Sequence, residues 1–470
     1  MRRAVILLGI FFLAEVAPAQ KISASISVPQ QPGDSLVTVG TISLEGNKIT
    51  KDRIIYREIE FKTGDVLPVN TLDSLIVESH QNLINRSLFN FVDITKTPDN
   101  GKYNITVSVI ERWYIWPIPI IDFADRNFNV WWETKDFNRL NYGINLRVEN
   151  FRGRMEELDF YIQGGYDKTF AAQWVIPYLT KRQFFGLGFF GGIQLNREVA
   201  YATENDDLTY YKSEDGFAQV TGFGQMDFTL RPKFNYLHTL TLGYDHYKFQ
   251  DTLLVLNPFF ADQTEYDILF FKYLYKQDFR DYKPYPLVGY YFDAGFVKYG
   301  LGLIPGQVNA FVVDFVFDQY IRIYKRWYFA YNFTSSFANK ELPYFLQNGI
   351  GYNGFEIRGY EYNIVNGKDF GLFKSNFKFE IIPRTVKRFK FIRTDKFAKI
   401  FYALYANVFF DMGYASDPRY FESNKLANQL LWGTGVGIDF ITYYDLVFRF
   451  EYSINKQGRQ GFYINLVAPI

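Results

Sequence analysis

From residue 115 onward, apolar and polar side chains alternate in strand after strand, and many of the polar positions are fully charged. In 446–452, Leu446, Phe448, Phe450 and Tyr452 oppose Arg449 and Glu451. In 374–381, Phe377, Phe379 and Ile381 oppose Lys374, Asn376, Lys378 and Glu380. In 158–163, Leu158, Phe160 and Ile162 oppose Asp159, Tyr161 and Gln163. A period of two assigns each set to one face of a sheet. The outer face of a soluble sandwich could carry such charges, so alternation alone leaves sandwich and membrane barrel open. Length helps decide. Runs such as 183–199, 309–324 and 400–414 exceed the roughly 5–6 residues of globular strands. They match tilted membrane strands of about 9–11 residues with extensions.

Composition supports the barrel. Phe, Tyr and Trp make up 20% of the chain, with 50 Phe and 37 Tyr, yet no run beyond the amino-terminal segment approaches the roughly 20 apolar residues of a membrane helix. Aromatic girdles at both interfaces of a transmembrane barrel account for both facts. The alternation predicts about sixteen strands: 115–123, 140–150, 155–165, 168–177, 183–200, 209–229, 235–250, 265–279, 287–298, 309–323, 327–339, 370–382, 400–414, 431–442, 445–455 and 461–470. The longer polar connections 201–208, 251–264, 340–369 and 415–430 then share one end of the barrel. Short turns such as 150–154 and 442–445 share the other.

Three segments precede the barrel. Residues 1–19 read as a signal peptide: Arg2 and Arg3, an apolar run Ala4–Ala14, and Ala17-Pro18-Ala19 as a cleavage site. No cysteine follows to anchor a lipoprotein. Residues 20–36 read as a flexible leader. Residues 37–114 predict a compact α/β module. It has a strand at 37–45, a short helix from a Thr50 cap to Glu58, and a helix at 71–86 opened by an Asn70/Asp73 capping box. Strands near 89–97 and 103–113 follow, joined by a Pro98–Gly101 turn.

Several functions are excluded or disfavoured. The absence of cysteine removes disulfides, thiol nucleophiles and thiolate metal sites. A net charge of +1 predicts no attraction to nucleic acid. His80, His238 and His246 lack metal-ligand spacing. Gly186, Gly188 and Gly191 satisfy a dinucleotide-type glycine pattern, but inside a strand with no helix after it. Neither an enzyme nor a cofactor is expected. The basic stretch 384–399 reads as a solvated turn, with anionic headgroups or a partner as the alternative.

Ile357-Arg358-Gly359-Tyr360 lies between the eleventh and twelfth predicted strands, and Phe410-Asp411-Met412-Gly413 lies on the thirteenth. With one β-α-α-β-β module ahead of about sixteen strands, these resemble the BamA/TamA superfamily of outer-membrane barrels (the bacterial surface antigen family). There the module is a POTRA domain, the first motif is V-R-G-F/Y of the sixth extracellular loop, and the second is D-x-G. Asn150-Phe151-Arg152-Gly153 is similar to the family's N-L-F-G turn, with Arg for the usual apolar residue. Residues 461–470 resemble the closing strand, ending in Ile470 where an aromatic is usual.

The resemblance implies a barrel over 115–470 in the bacterial outer membrane, with the POTRA domain, 37–114, in the periplasm. It implies insertion or export of client proteins, without nucleotide or metal. The alternative is a passive pore or structural barrel that docks through the POTRA domain. Implied partners are outer-membrane lipids, client outer-membrane or exported proteins, and periplasmic accessory proteins. Alternation puts Asn407, Phe409, Asp411 and Glu380 on the inner face. A loop folded into the lumen would set the Arg358 guanidinium on Asp411, with Glu380 as a further acceptor. Gly359 would permit a tight turn and Tyr360 would pack on the wall. The strand at 37–45 is expected to be an edge able to receive an added strand. A weak seam is expected between the first and last strands, at Pro117 and Pro119 on one side and Leu466 and Pro469 on the other, since proline donates no ladder bond.

Overall fold

The computed structural model describes residues 35–123, 135, 137–352, 354–388, 399–419, 422–442 and 446–466. The signal segment, nearly all of the leader, the centre of the basic stretch, Pro469 and Ile470 lie outside them.

The amino-terminal module runs β1 (Leu36–Glu45), α1 (Asp52–Arg57), β2 (Val66–Pro68), α2 (Val69–Ile84), β3 (Phe89–Asp99) and β4 (Lys102–Glu111). Its sheet has the order β2-β1-β4-β3. Val39, Ile105 and Val107 on the sheet meet Ile54, Ile55, Leu72 and Leu83 on the helices in one core. The strand expected at the edge is partly covered. Gly64, at φ +94, turns the chain so that Val66–Pro68 pair with Leu36–Thr38. Among the described residues β3 pairs only with β4 and is the full-length edge.

The expected caps differ for a shared reason. α1 starts one residue late, at Asp52, and α2 starts after Pro68, neither with a side-chain cap. Thr50 spends its hydroxyl on Tyr114 and Asn150, while Asp73 is ion-paired across the fold to Lys96. Spacing identifies a capping side chain, but tertiary partners compete for it.

His80 packs from α2 against β3, its Nε2 3.1 Å from the Val92 carbonyl, and burial holds its pKa below the ordinary imidazole value. Protonation therefore favours the unfolded module. Its contribution is complete above the ordinary value, about 6.5, and is lost as pH falls below it. The module should melt at a lower temperature at pH 5.5 than at pH 7.5, and His80→Gln should flatten that difference.

Sixteen strands make the wall: β5 (Ile115–Phe123), β6 (Leu140–Phe151), β7 (Glu156–Gly165), β8 (Lys168–Ile176), β9 (Phe185–Asn196), β12 (Gln219–Leu230), β13 (Tyr236–Phe249), β14 (Glu265–Asp278), β15 (Gly289–Tyr299), β16 (Ala310–Tyr324), β17 (Trp327–Ala338), β20 (Asp369–Arg388), β21 (Lys399–Ser416), β22 (Leu431–Ile441), β23 (Val447–Asn455) and β24 (Gln460–Leu466). They are joined in chain order, each antiparallel to the next, as in an up-and-down barrel. Along β21 the residues at 401, 403, 405, 407, 409, 411, 413 and 415 are buried, whereas Val408, Phe410 and Tyr414 on the other face are exposed. The exposed apolar face carries aromatic clusters such as Trp327 with Phe377 and Phe379, centroids 5.1 and 4.6 Å apart, as a lipid-facing wall requires. Gly186, Gly188 and Gly191 lie within β9, where they make room for β8 and β12.

Two strands of the wall, β9 and β12, are shorter than the expected 183–200 and 209–229. Residues 198–212 leave the wall as a separate hairpin, β10 (Glu198–Glu204) with β11 (Asp207–Lys212). The loop 251–264 holds a short helix, α3 (Asp251–Leu256), and the long loop before β20 holds a two-residue hairpin, β18 (Gly349–Ile350) with β19 (Val365–Asn366). The basic stretch continues the sheet to Arg388 and resumes it at Lys399, so its ends are ladder rather than turn.

Candidate functional site

The loop between β17 and β20 folds back onto the inner wall. Ile357 anchors it, fully buried with Ile350, Tyr360, Val365, Phe370, Leu372 and Leu431. Gly359, at φ +96, makes the reversal, and its carbonyl accepts from Asn455 Nδ2 at 2.7 Å. The Tyr360 hydroxyl donates to Gln457 Oε1 at 2.5 Å.

Arg358 points into the wall. Its Nε donates to Asp411 Oδ2 at 2.7 Å and its Nη2 to Oδ1 at 2.6 Å, a planar two-bond fork. The Arg358 backbone N–H adds a third bond to Oδ2 at 3.2 Å. Nη1 reaches Glu451 Oε1 at 3.1 Å, Nη2 reaches the Ser375 carbonyl at 3.2 Å, and the guanidinium stands 3.8 Å from the Phe409 ring centroid. Arg358 is 8% exposed and Asp411 fully buried.

Glu380 is not part of this group. In the β20–β21 register Asp411 stands opposite Lys374, whereas Glu380 stands opposite Tyr405 and accepts from its hydroxyl at 3.3 Å. Six residues along a strand is about 20 Å. The second acceptor is Glu451 on β23. Alternation marks it as inward too, so the sequence signal existed, but not its height along the wall.

Two glycines make the seat. A Cβ on Gly433 of β22 would fall 1.9 Å from the Arg358 carbonyl oxygen, and one on Gly413 would fall 2.8 Å from Ile357 Cδ1. The glycine of the D-x-G element is therefore a space requirement of the apolar residue before the arginine. Gly433→Ala should unseat the loop. Tryptic cleavage after Arg358 is expected to accelerate at least tenfold, the effect of about 1.4 kcal/mol.

Beneath this pair the wall continues as a charge chain. Arg449 forks onto Asp439 at 2.8 and 3.2 Å and lies 3.8 Å from Glu451. The amino-terminal module docks below. Glu58, fully buried, meets Arg86 of its own module at 2.8 Å and Arg231 and Tyr178 of barrel turns at 3.4 and 3.1 Å. Asn150 Nδ2 donates to Thr50 Oγ1 at 2.8 Å and the Lys51 N–H to the Gly153 carbonyl at 2.9 Å. Gly153, at φ +67, leaves no room for a side chain beside the Ile49 carbonyl. The Asn150–Gly153 turn is thus the joint between module and wall.

Among the described residues no pairing joins β5 to β24. The Tyr114 carbonyl accepts from the Glu149 N–H, so by the two-residue repeat the even-numbered residues of β5 turn their backbone groups toward β6. Pro117 and Pro119 therefore turn theirs to the open edge. Trp113 Nε1 bonds the Ile115 carbonyl on that same edge. On the opposite side Asn465, which pairs with Arg449, shares the inner face with Ile118, which pairs with Asn145. No cluster of His, Cys, Asp and Glu suited to a metal occurs among the described residues.

The family model described as POTRA, surface antigen variable number repeat, matches residues 37–112. No curated protein matches the sequence. Among solved structures the chain is similar to BamA from Haemophilus ducreyi lacking POTRA domains 1–3, at 15% identity and a TM-score of 0.50, covering 92% of this chain and 83% of that one. It is also similar to CdiB from Escherichia coli, at 12% identity and a TM-score of 0.52, covering 92% and 75%. The chain thus joins a POTRA domain to a sixteen-stranded antiparallel wall whose fold is similar to that of BamA and CdiB.

Proposed function

We propose that the protein is an outer-membrane assembly or translocation factor, its POTRA domain in the periplasm, which receives client strands by backbone pairing at its sheet edges. The observation that carries this reading is the edge of β5, which pairs with no strand besides β6 among the described residues. Its two prolines remove two donors, each ladder bond being worth about 0.5–1.5 kcal/mol. A seam weakened there opens more readily than any other junction of the wall. β-augmentation needs only backbone groups from the client, and it involves neither nucleotide nor metal. In the POTRA domain β3 is the edge best suited to a first contact, ahead of the partly covered β1.

Paired cysteines at Ile118 and Asn465 test the reading. Asn465, next to Leu466, is the partner position because it shares the inner face with Ile118. The oxidised protein should remain folded but fail to restore outer-membrane protein levels in a depletion strain, and reduction should restore them. Full activity of the locked form would remove the seam from the mechanism and favour a passive or structural barrel. Removal of 37–113 is expected to leave a folded barrel that no longer delivers clients; full complementation by that form would exclude the POTRA domain as receiver.

A further inference from the structure

A second segment enters the lumen, from the end that faces the POTRA domain. The turn between β14 and β15, residues 279–288, carries Tyr285 into the wall cluster of Tyr328, Phe401, Ala403, Tyr405, Ile441 and Val447. Its hydroxyl donates to Asp439 Oδ2 at 2.8 Å, and its ring lies 4.9 Å from that of Tyr405. Lys378 sits against the ring, its Nζ 4.3 Å from the centroid.

The surroundings are polar and poorly satisfied. Lys378 Nζ, both amide atoms of Asn376 and of Asn407, and Ser453 Oγ are buried without a hydrogen-bond partner among the described residues. Withdrawal of Tyr285 would open Lys378 and Asn407, which stand opposite each other in the β20–β21 ladder, to water. The turn is also gripped from outside the lumen. Asn85, the residue that ends α2, donates from Nδ2 to the Arg280 and Asp281 carbonyls at 3.3 and 3.2 Å, and its Oδ1 accepts from the Lys283 N–H at 3.0 Å. The turn is stiff enough to transmit that grip, since Asp281 Oδ1 accepts from the N–H groups of Leu287 and Val288 at 3.0 and 3.2 Å.

We propose that residues 279–288 are a stopper in the lumen mouth facing the POTRA domain, and that Asn85 of that domain holds it shut. Movement of α2 away from the barrel withdraws Tyr285 and wets the wall below Arg358. Through Asp439, Arg449 and Glu451 the stopper stands on the same charge chain as the folded loop. This holds whether or not the protein inserts clients, and its test uses none.

The chain contains no cysteine, so Asn407→Cys supplies a single thiol behind the stopper, at a side chain that gives up no hydrogen bond to a described residue. Its reaction with a small charged methanethiosulfonate is followed on the full chain in nanodiscs, with heat-modifiable gel migration as the folding control. Asn85→Ala and Tyr285→Ala are each expected to accelerate labelling by about tenfold or more. The double variant should be no faster than Tyr285→Ala alone, because both act through one element. If Tyr285→Ala does not fold, Tyr285→Phe, which loses only the bond to Asp439, takes its place. Labelling of the Asn85 variant at the parental rate would overturn the proposal, as would single effects that multiply in the double variant.

Discussion

Asp411→Ala is expected to destabilise the barrel by about 3–5 kcal/mol, the cost of leaving one member of a buried ion pair without its partner. Asp411 is fully enclosed and receives three bonds from Arg358, so solvent screening offers little relief. Arg358→Ala should cost at least as much, because it strips the buried Asp411 of both guanidinium bonds, whereas Asp411→Ala leaves Arg358 its bond to Glu451. The double variant should be less harmful than the sum of the two, with a coupling of about 0.5–3 kcal/mol in a thermal-unfolding cycle. Arg358→Lys should recover little, since a point charge cannot reproduce the fork or the stacking on Phe409. Additive single effects would mean that the loop is seated by Ile357 and its apolar neighbours alone.

The second large effect belongs to Glu58. Its carboxylate lies between Arg86 of the POTRA domain and Arg231 of a barrel turn, with the Tyr178 hydroxyl as a third partner. Glu58→Ala leaves two guanidinium groups facing each other in a buried site, a change of about 3–5 kcal/mol. Much of that cost is avoided if the domain lets go of the barrel. Release is therefore the expected outcome, visible as faster proteolysis near residues 112–114 and faster hydrogen exchange at Lys51 and Gly153, with the barrel still folded. A barrel that unfolds together with the domain would show instead that Glu58 supports both units as one.

Faces were legible in the sequence; heights were not. Alternation assigned Asp411, Glu380 and Glu451 to the inner wall, and all three are there. Which of them Arg358 would meet depends on register, and register across a loop as long as 339–368 is set by packing, not by spacing. Glu380 was therefore a reasonable candidate that falls six residues from the site. The hairpin of β10 and β11 was unreadable for a related reason: strand character continues from β9 into β10, and only the break between them at Arg197 shows that the chain leaves the wall. Capping residues failed where a tertiary partner outbid the helix, as Lys96 did for Asp73. Tyr285 left no signal at all, since one aromatic in a polar turn resembles many others in a chain so rich in them.

The prolines of β5 have a consequence for the kind of strand that can join that edge. With Pro117 and Pro119 unable to donate, and the Ile115 carbonyl already bonded by Trp113, the edge offers the carbonyls of residues 117, 119 and 121 against few donors. It is a one-sided template. Two copies of this barrel meeting first strand to first strand would set acceptor against acceptor, so crowding in a membrane does not fuse them through that edge. A joining strand must bring N–H groups where this one has none, and one carrying its own prolines in register would find nothing to hold. Selection at such an edge acts on the backbone, through where a partner lacks proline, and leaves its side chains free to vary.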